Sequence, residues 1–133
     1  MMPYVIDASA AAEFLLRTSV GAKVAAAIEG SLLVAPELLD VEVLSVLRRA
    51  VLGYRLEENR ARLALQDLAD WQVDRIPHRI LLREAWRRRH NVSAYDAFYV
   101  AAARLYDVPL LTADGPLSRA PALGIVVENI RTA

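Results

Sequence analysis

Apolar residues along the chain follow two different rhythms. One is a set of short runs: Tyr4-Val5-Ile6, Leu32-Leu33-Val34, the stretch 73–76, Leu110-Leu111 and Ile125-Val126-Val127. These are too short for helices and rich in aliphatic, β-branched and aromatic side chains, which marks buried strands. The other rhythm repeats every three to four residues, the period of a helix with one face turned inward. It predicts helices over 10–17, from Ser19 to Ile28 with Gly30 as the stop, and from Pro36 through Leu39, Val43, Val46, Leu47 and Ala50 to Gly53. Pro36 suits a first helical turn, where an N–H has no partner to lose. Leu63, Leu65, Leu68 and Trp71 trace a further amphipathic segment, and 80–89 another that ends by Asn91. Ser93 stands ready to cap the next helix, with Asp96 three residues on in capping-box register and Phe98, Val100, Ala101, Ala102 and Leu105 along it.

Short apolar strands alternating with helices predict an α/β fold: a central, mostly parallel sheet of four to five strands flanked by helices on both faces. No linker, repeat or low-complexity stretch interrupts the pattern, so residues 1–133 read as one domain. In such folds ligands sit beyond the carboxyl ends of the strands, near the point where strand order reverses.

Composition narrows this picture. Hydrophobic residues make up 56% of the chain, which excludes intrinsic disorder. Mean hydropathy is +0.26, yet uncharged stretches such as 97–103 and 108–113 fall far short of the ~20 apolar residues of a spanning helix, so no membrane partner is expected. The opening Met1-Met2-Pro3-Tyr4-Val5-Ile6-Asp7 lacks the basic start and long apolar run of a signal peptide. The absence of cysteine excludes disulfides, thiolate metal sites and Cys nucleophiles and agrees with a cytoplasmic location. Sixteen basic residues balance 16 acidic ones, which argues against binding nucleic acid by bulk charge. Lys23 is the only lysine, as GC-rich coding would produce.

Four acids break the apolar pattern. Asp7 directly follows the first strand and Asp114 the Leu110-Leu111 strand, so parallel strands would bring both to one sheet edge. Each is also explained as an ordinary turn or cap residue. Asp96 lies in the first turn of its helix, where free N–H groups favour a negative charge; a plain capping role explains it equally. Glu42 has Leu38, Leu39, Ser45 and Val46 three and four residues away, so it points along a stripe that should face the core. A carboxylate there needs an Arg, a proton or a metal to compensate it. Asp40 is a weaker competitor, and Glu37 reads as a first-turn acid. Oxygen donors with no soft ligand nearby are what Mg²⁺ or Mn²⁺ prefers, and such a cluster can activate water and stabilise charge on a phosphate.

Val5-Ile6-Asp7-Ala8-Ser9, the 36–49 segment containing Glu42, Ser93-Ala94-Tyr95-Asp96-Ala97-Phe98-Tyr99-Val100-Ala101 and Leu111-Thr112-Ala113-Asp114 together resemble the PIN-domain ribonucleases, most of all the VapC toxins of toxin–antitoxin pairs. The resemblance spans nearly the whole chain and implies a single PIN-like domain. It implies that Asp7, Glu42, Asp96 and Asp114 form an acidic quartet holding one or two Mg²⁺ or Mn²⁺ ions, partly through water. It places Ser9 and Thr112 at positions that support the site, where local turn hydrogen bonding is the alternative reading. The implied reaction is endonucleolytic hydrolysis of RNA by a metal-activated water. The implied partners are RNA, a VapB-like antitoxin whose C-terminal segment lies across the groove, and a second copy in a homodimer.

The remaining candidates come from charge. Arg87, Arg88 and Arg89 form the densest basic run, either a solvated helix face or an RNA-contacting patch. His78 and His90 show no acid–base spacing, and apolar positions over 63–71 offer a partner surface. Two other functions stay open. One is a housekeeping RNA-processing nuclease on the same fold. The other is a non-catalytic Mg²⁺-binding signalling module, disfavoured because Asp7 has no acidic neighbour and Lys23 comes too early; a phosphatase with an Asp nucleophile is disfavoured because Ser9 stands where its second Asp would be. Setting aside the quartet leaves 16 basic against 12 acidic residues, a scaffold of +4 around an acidic pocket.

Overall fold

The computed structural model describes residues 3–120 and 123–132. Residues 1, 2 and 133, the outer ends of the predicted domain and the two opening methionines among them, lie outside that range. Strands β1 (Tyr4–Ile6), β2 (Leu33–Pro36), β3 (Asp74–Ile76), β4 (Leu110–Thr112) and β5 (Val127–Asn129) form one sheet in the order β3-β2-β1-β4-β5. Every pairing is parallel. The three inner strands are buried along their whole length, as expected of a sheet covered on both faces. The edge strands carry Asp74, Arg75 and Glu128, charges that discourage pairing with another chain.

Helices α1 (Ala8–Leu15), α2 (Ser19–Ile28), α3 (Leu38–Leu52), α4 (Glu58–Asp70), α5 (His78–Arg87), α6 (Ala94–Tyr106) and the short α7 (Gly115–Ser118) connect the strands. One layer gathers α2, α3 and α4 around α1, and α6 packs with α5 over β1, β2 and β4. Small residues make both layers tight. Ala10 and Ala11 on α1 and Ala101 and Ala102 on α6 have no exposed surface, so these helices lie close on the sheet. Gly21 is required where α2 crosses α1: a Cβ there would sit 2.0 Å from the Glu13 carbonyl oxygen.

Several boundaries differ from the sequence reading, each for a local reason. Pro36 ends β2 rather than opening α3, and α3 begins at Leu38. An extended backbone satisfies proline's fixed φ, and the next residue's N–H, Glu37, completes the ladder by donating to the Ile76 carbonyl at 3.0 Å. The cap of α2 is Thr18, not Ser19; its hydroxyl accepts from Gly21 N–H. The last strand runs two residues later than predicted. The stripe over 63–71 serves largely within the chain: Leu68 is buried and Trp71 stacks on Phe14 at 4.8 Å, while Leu63 is exposed.

Candidate active site

The order β3-β2-β1-β4-β5 reverses direction between β1 and β4, and a cleft opens there at the carboxyl edge. Its volume is about 510 Å³, and Asp7, Glu42, Asp96 and Asp114 all line it. Asp7 leaves β1 and caps α1; Asp114 follows β4 and caps α7. Asp96 stands in the first turn of α6, and Glu42 in the second turn of α3. Three of the four acids therefore sit at helix N-termini, where unpaired N–H groups favour negative charge. The capping explanation and the clustering hold together: a side chain that caps a helix following a strand is thereby carried to the sheet edge.

Asp7 is the deepest of the four, 5% exposed. Its Oδ1 accepts from Ser9 Oγ at 2.7 Å and from Ala10 N–H at 3.0 Å, and its Oδ2 accepts from Thr112 Oγ1. Each hydroxyl is itself oriented by a backbone donor, that of Ser9 from across the β1–β4 seam and that of Thr112 from two residues on. Ala113 N–H donates to Ser9 Oγ, and Asp114 N–H donates to Thr112 Oγ1, both at 2.9 Å. With both protons committed to Asp7, the 3.2 Å approach of Ser9 Oγ to Thr112 Oγ1 has none left for itself. Oδ1 is fully engaged, whereas Oδ2 keeps a lone pair free.

The acids also repel one another. Burial pushes the Asp7 carboxyl up to about 6, against the pull of its three donors, and the Asp114 charge adds to the rise. Burial raises Asp96, again helped by Asp114, and Ser93 opposes the rise. Burial raises Glu42; nearby Tyr99 and Arg49 oppose that rise and Asp96 adds to it. Desolvated carboxylates coupled in this chain are stabilised by a cation between them. Among the described residues, no three acids stand close enough to form a closed ligand set. Hard oxygen donors in an open arrangement suit an ion that keeps part of its water shell, as Mg²⁺ and Mn²⁺ do. The residues present fit such an ion.

Sequence reasoning missed several lining residues: Ser45, Arg49, Tyr95 and Tyr99. Helical spacing held the signal, since Arg49 lies two turns beyond Glu42 and Tyr99 one turn beyond Asp96. Asp40 is outside the cleft, held by Arg75 at 2.9 Å. The basic run does not reach the acids either. Arg87 pairs with Glu84 at 2.9 Å, and Arg88 approaches the same carboxylate at 3.6 Å. Arg89 lies over the Trp86 ring at 4.8 Å. His78 serves the fold: its Nε2 accepts from Leu38 N–H at 2.8 Å, capping α3 where Glu37 makes no side-chain cap.

The family model for the PIN domain matches residues 4–123. "Ribonuclease VapC1" of Mycobacterium tuberculosis is 43% identical over 129 residues, 96% of this chain and 97% of that protein. Among solved structures, PAE2754 from Pyrobaculum aerophilum superposes with a TM-score of 0.67 at 22% identity, over 98% of this chain and 85% of that one. VapBC2 from Rickettsia felis, solved bound to a DNA fragment from its promoter, superposes at 0.61 with 10% identity, over 96% of this chain and 98% of that one. Matched across nearly its whole length by the PIN-domain family and by a VapC ribonuclease, and folded as the PIN-like α/β domain its sequence implied, the chain belongs to the PIN-domain family and, within it, to the VapC ribonucleases.

Proposed function

We propose that this protein is a metal-dependent endoribonuclease, the toxin of a VapBC-type toxin–antitoxin pair acting in the cytoplasm. The observation that carries the reading is the convergence of Asp7, Glu42, Asp96 and Asp114 in one cleft at the sheet's reversal point, in a chain 43% identical to a ribonuclease. These four acids would hold Mg²⁺ or Mn²⁺. When bound, the cation offsets charge on the phosphate under attack and makes the attacking water more acidic.

The chain's own residues do the rest. Ser9 and Thr112 fix both Asp7 oxygens, so the deepest ligand is aimed before any ion arrives. The N–H groups at the start of α6 favour the ionised form of Asp96 against the burial that opposes it. Arg49, exposed at the cleft wall, is the one basic side chain among the described lining residues and the natural contact for a backbone phosphate. Arg87 and Arg89 serve RNA that extends beyond the cleft. An antitoxin, as the pair in VapBC2 suggests, and a second copy of the chain, as the sequence resemblance implies, complete the assembly.

Purified protein is expected to cleave RNA with Mg²⁺ or Mn²⁺, to stop with EDTA, and to be inactive as Asp96→Asn. Cleavage without metal, or full activity of Asp96→Asn, would overturn the mechanism. Growth arrest on induced expression, relieved by the product of the adjacent reading frame, separates a toxin from a housekeeping nuclease.

A further inference from the structure

Tyr99 is the anomaly of the cleft. Its side chain is 1% exposed, yet its hydroxyl is a buried polar group without a hydrogen-bond partner. Buried hydroxyls are satisfied almost without exception, so an orphan at a site wall points to a hydrogen bond that closes only when the site is filled. Tyr99 lines the same cleft as the quartet, reached from α6 one turn beyond Asp96. Glu42 enters from α3 on the facing wall, half-buried. The two stand close enough to perturb one another, and Asp7 and Asp96 bear on the phenol more weakly. Among the described residues, no donor meets Glu42 in hydrogen-bond geometry, whereas Asp7 has three. Glu42, like Asp96, is thus held far less firmly than Asp7, and the idle donor beside it is a phenol.

We propose that Tyr99 is a positioning residue: when a divalent cation occupies the cleft, its hydroxyl donates to the Glu42 carboxylate and holds that carboxylate toward the ion. This rests on the cation-binding reading given above. A tyrosine hydroxyl keeps its proton at ordinary working pH, so Tyr99 is available as a donor. A donor to the outer oxygen of a metal-facing carboxylate restricts its rotation, and losing such a contact weakens metal affinity by roughly 10–100-fold.

The test uses Mn²⁺ titrated calorimetrically into the wild type, Tyr99→Phe, Glu42→Gln and the double variant, with thermal melting of each metal-free protein. Phenylalanine fills the same space, so the metal-free melting temperature should stay level or rise. Affinity for Mn²⁺ should fall about tenfold in Tyr99→Phe. In the Glu42→Gln background the same change should have little further effect, because Tyr99 acts through Glu42. Wild-type Mn²⁺ affinity in Tyr99→Phe overturns the proposal and leaves the cation site standing. So does an undiminished loss in the Glu42→Gln background. A wild type that binds no Mn²⁺ overturns both.

Discussion

Thr112 and Asp7, 105 residues apart in the chain, are joined by a hydrogen bond from the threonine hydroxyl to the carboxylate across the β1–β4 seam. Both are buried, and the same hydroxyl accepts from Asp114 N–H. One side chain thus ties three parts of the site together: the first acid, the last acid and the seam between their strands. Thr112→Val keeps the shape and removes the hydroxyl, leaving a carboxylate oxygen and a backbone N–H short of a partner. The expected cost is about 1.5–3 kcal/mol by denaturant unfolding, the range for hydrogen bonds to charged groups. The cost should be smaller at pH 5 than at pH 7.5, because a protonated Asp7 demands less of its donors.

The buried carboxylate also sets the direction of the pH dependence. Asp7 is raised to about 6 in the folded chain, against an ordinary value of ~3.9 in the unfolded one. Between these values the folded state holds a proton that the unfolded state has lost, so metal-free stability falls as pH rises from 4 to 6 and levels off above. The full difference is about 3 kcal/mol. Glu42 and Asp96 are raised by burial too and act in the same direction. Thermal melting in EDTA should therefore give a higher Tm at pH 5 than at pH 7.5, and Asp7→Asn should flatten the difference. Added Mn²⁺ should stabilise most at pH 7.5. A metal-free protein that gains stability steadily from pH 5 to 7.5 would contradict this.

The strands and the four acids were legible because they obey strong local rules. An apolar run bounded by polar residues gives a strand, and an Asp directly after it marks the carboxyl edge. Asp96 is flanked by Tyr95, Ala97, Phe98, Tyr99 and Val100, an apolar setting that marks a central helix, and Ala97, Tyr99 and Val100 are buried. What stayed hidden depends on distant partners. Tyr99 reads as one more apolar residue of α6 until α3 brings Glu42 across from it. His78 caps a helix that begins 40 residues earlier in the chain. Pro36 fits a helix start by local preference, and the neighbouring strand β3 decides otherwise by pairing Ile76 with it. Gly115–Ser118 is too short to show a helical period, and Asp114 caps a single helical turn there.

Arg75 illustrates a tertiary clasp. It donates to the carbonyls of Leu68, Trp71 and Val73 and forms a two-pronged pair with Asp40. The carbonyls close the C-terminal end of α4 onto β3, whereas Asp40 is 47% exposed, so water screens the pair. Arg75→Met should cost about 2–3 kcal/mol, several charge-assisted bonds being lost together. Asp40→Asn should cost no more than ~0.5 kcal/mol. Neither should change the pH at which RNA cleavage is half-maximal, since Asp40 stands outside the cleft. Urea unfolding and a pH–rate profile of both variants check this, and a large loss in Asp40→Asn would show the ion pair to be the stabilising part.

The overall charge of zero conceals arginines in two different places, one in the cleft and others on the surface at the end of α5. Arg49 stands in the cleft two helical turns beyond Glu42, where RNA would pass on the proposed reading. Arg87 and Arg89 are exposed on and beyond the end of α5, where on the same reading they would meet only RNA that extends past the site. Arg49→Ala should therefore raise KM for short and long RNA alike and flatten the salt dependence of kcat/KM by about one counterion. Arg87→Ala with Arg89→Ala should leave the shortest cleavable oligonucleotide unaffected and weaken long RNA alone. The measurement is cleavage of a length series of oligoribonucleotides across a salt series. Equal losses at every length in the double variant would move the basic run into the cleft's own contact set. Unchanged kinetics in Arg49→Ala would remove Arg49 from it.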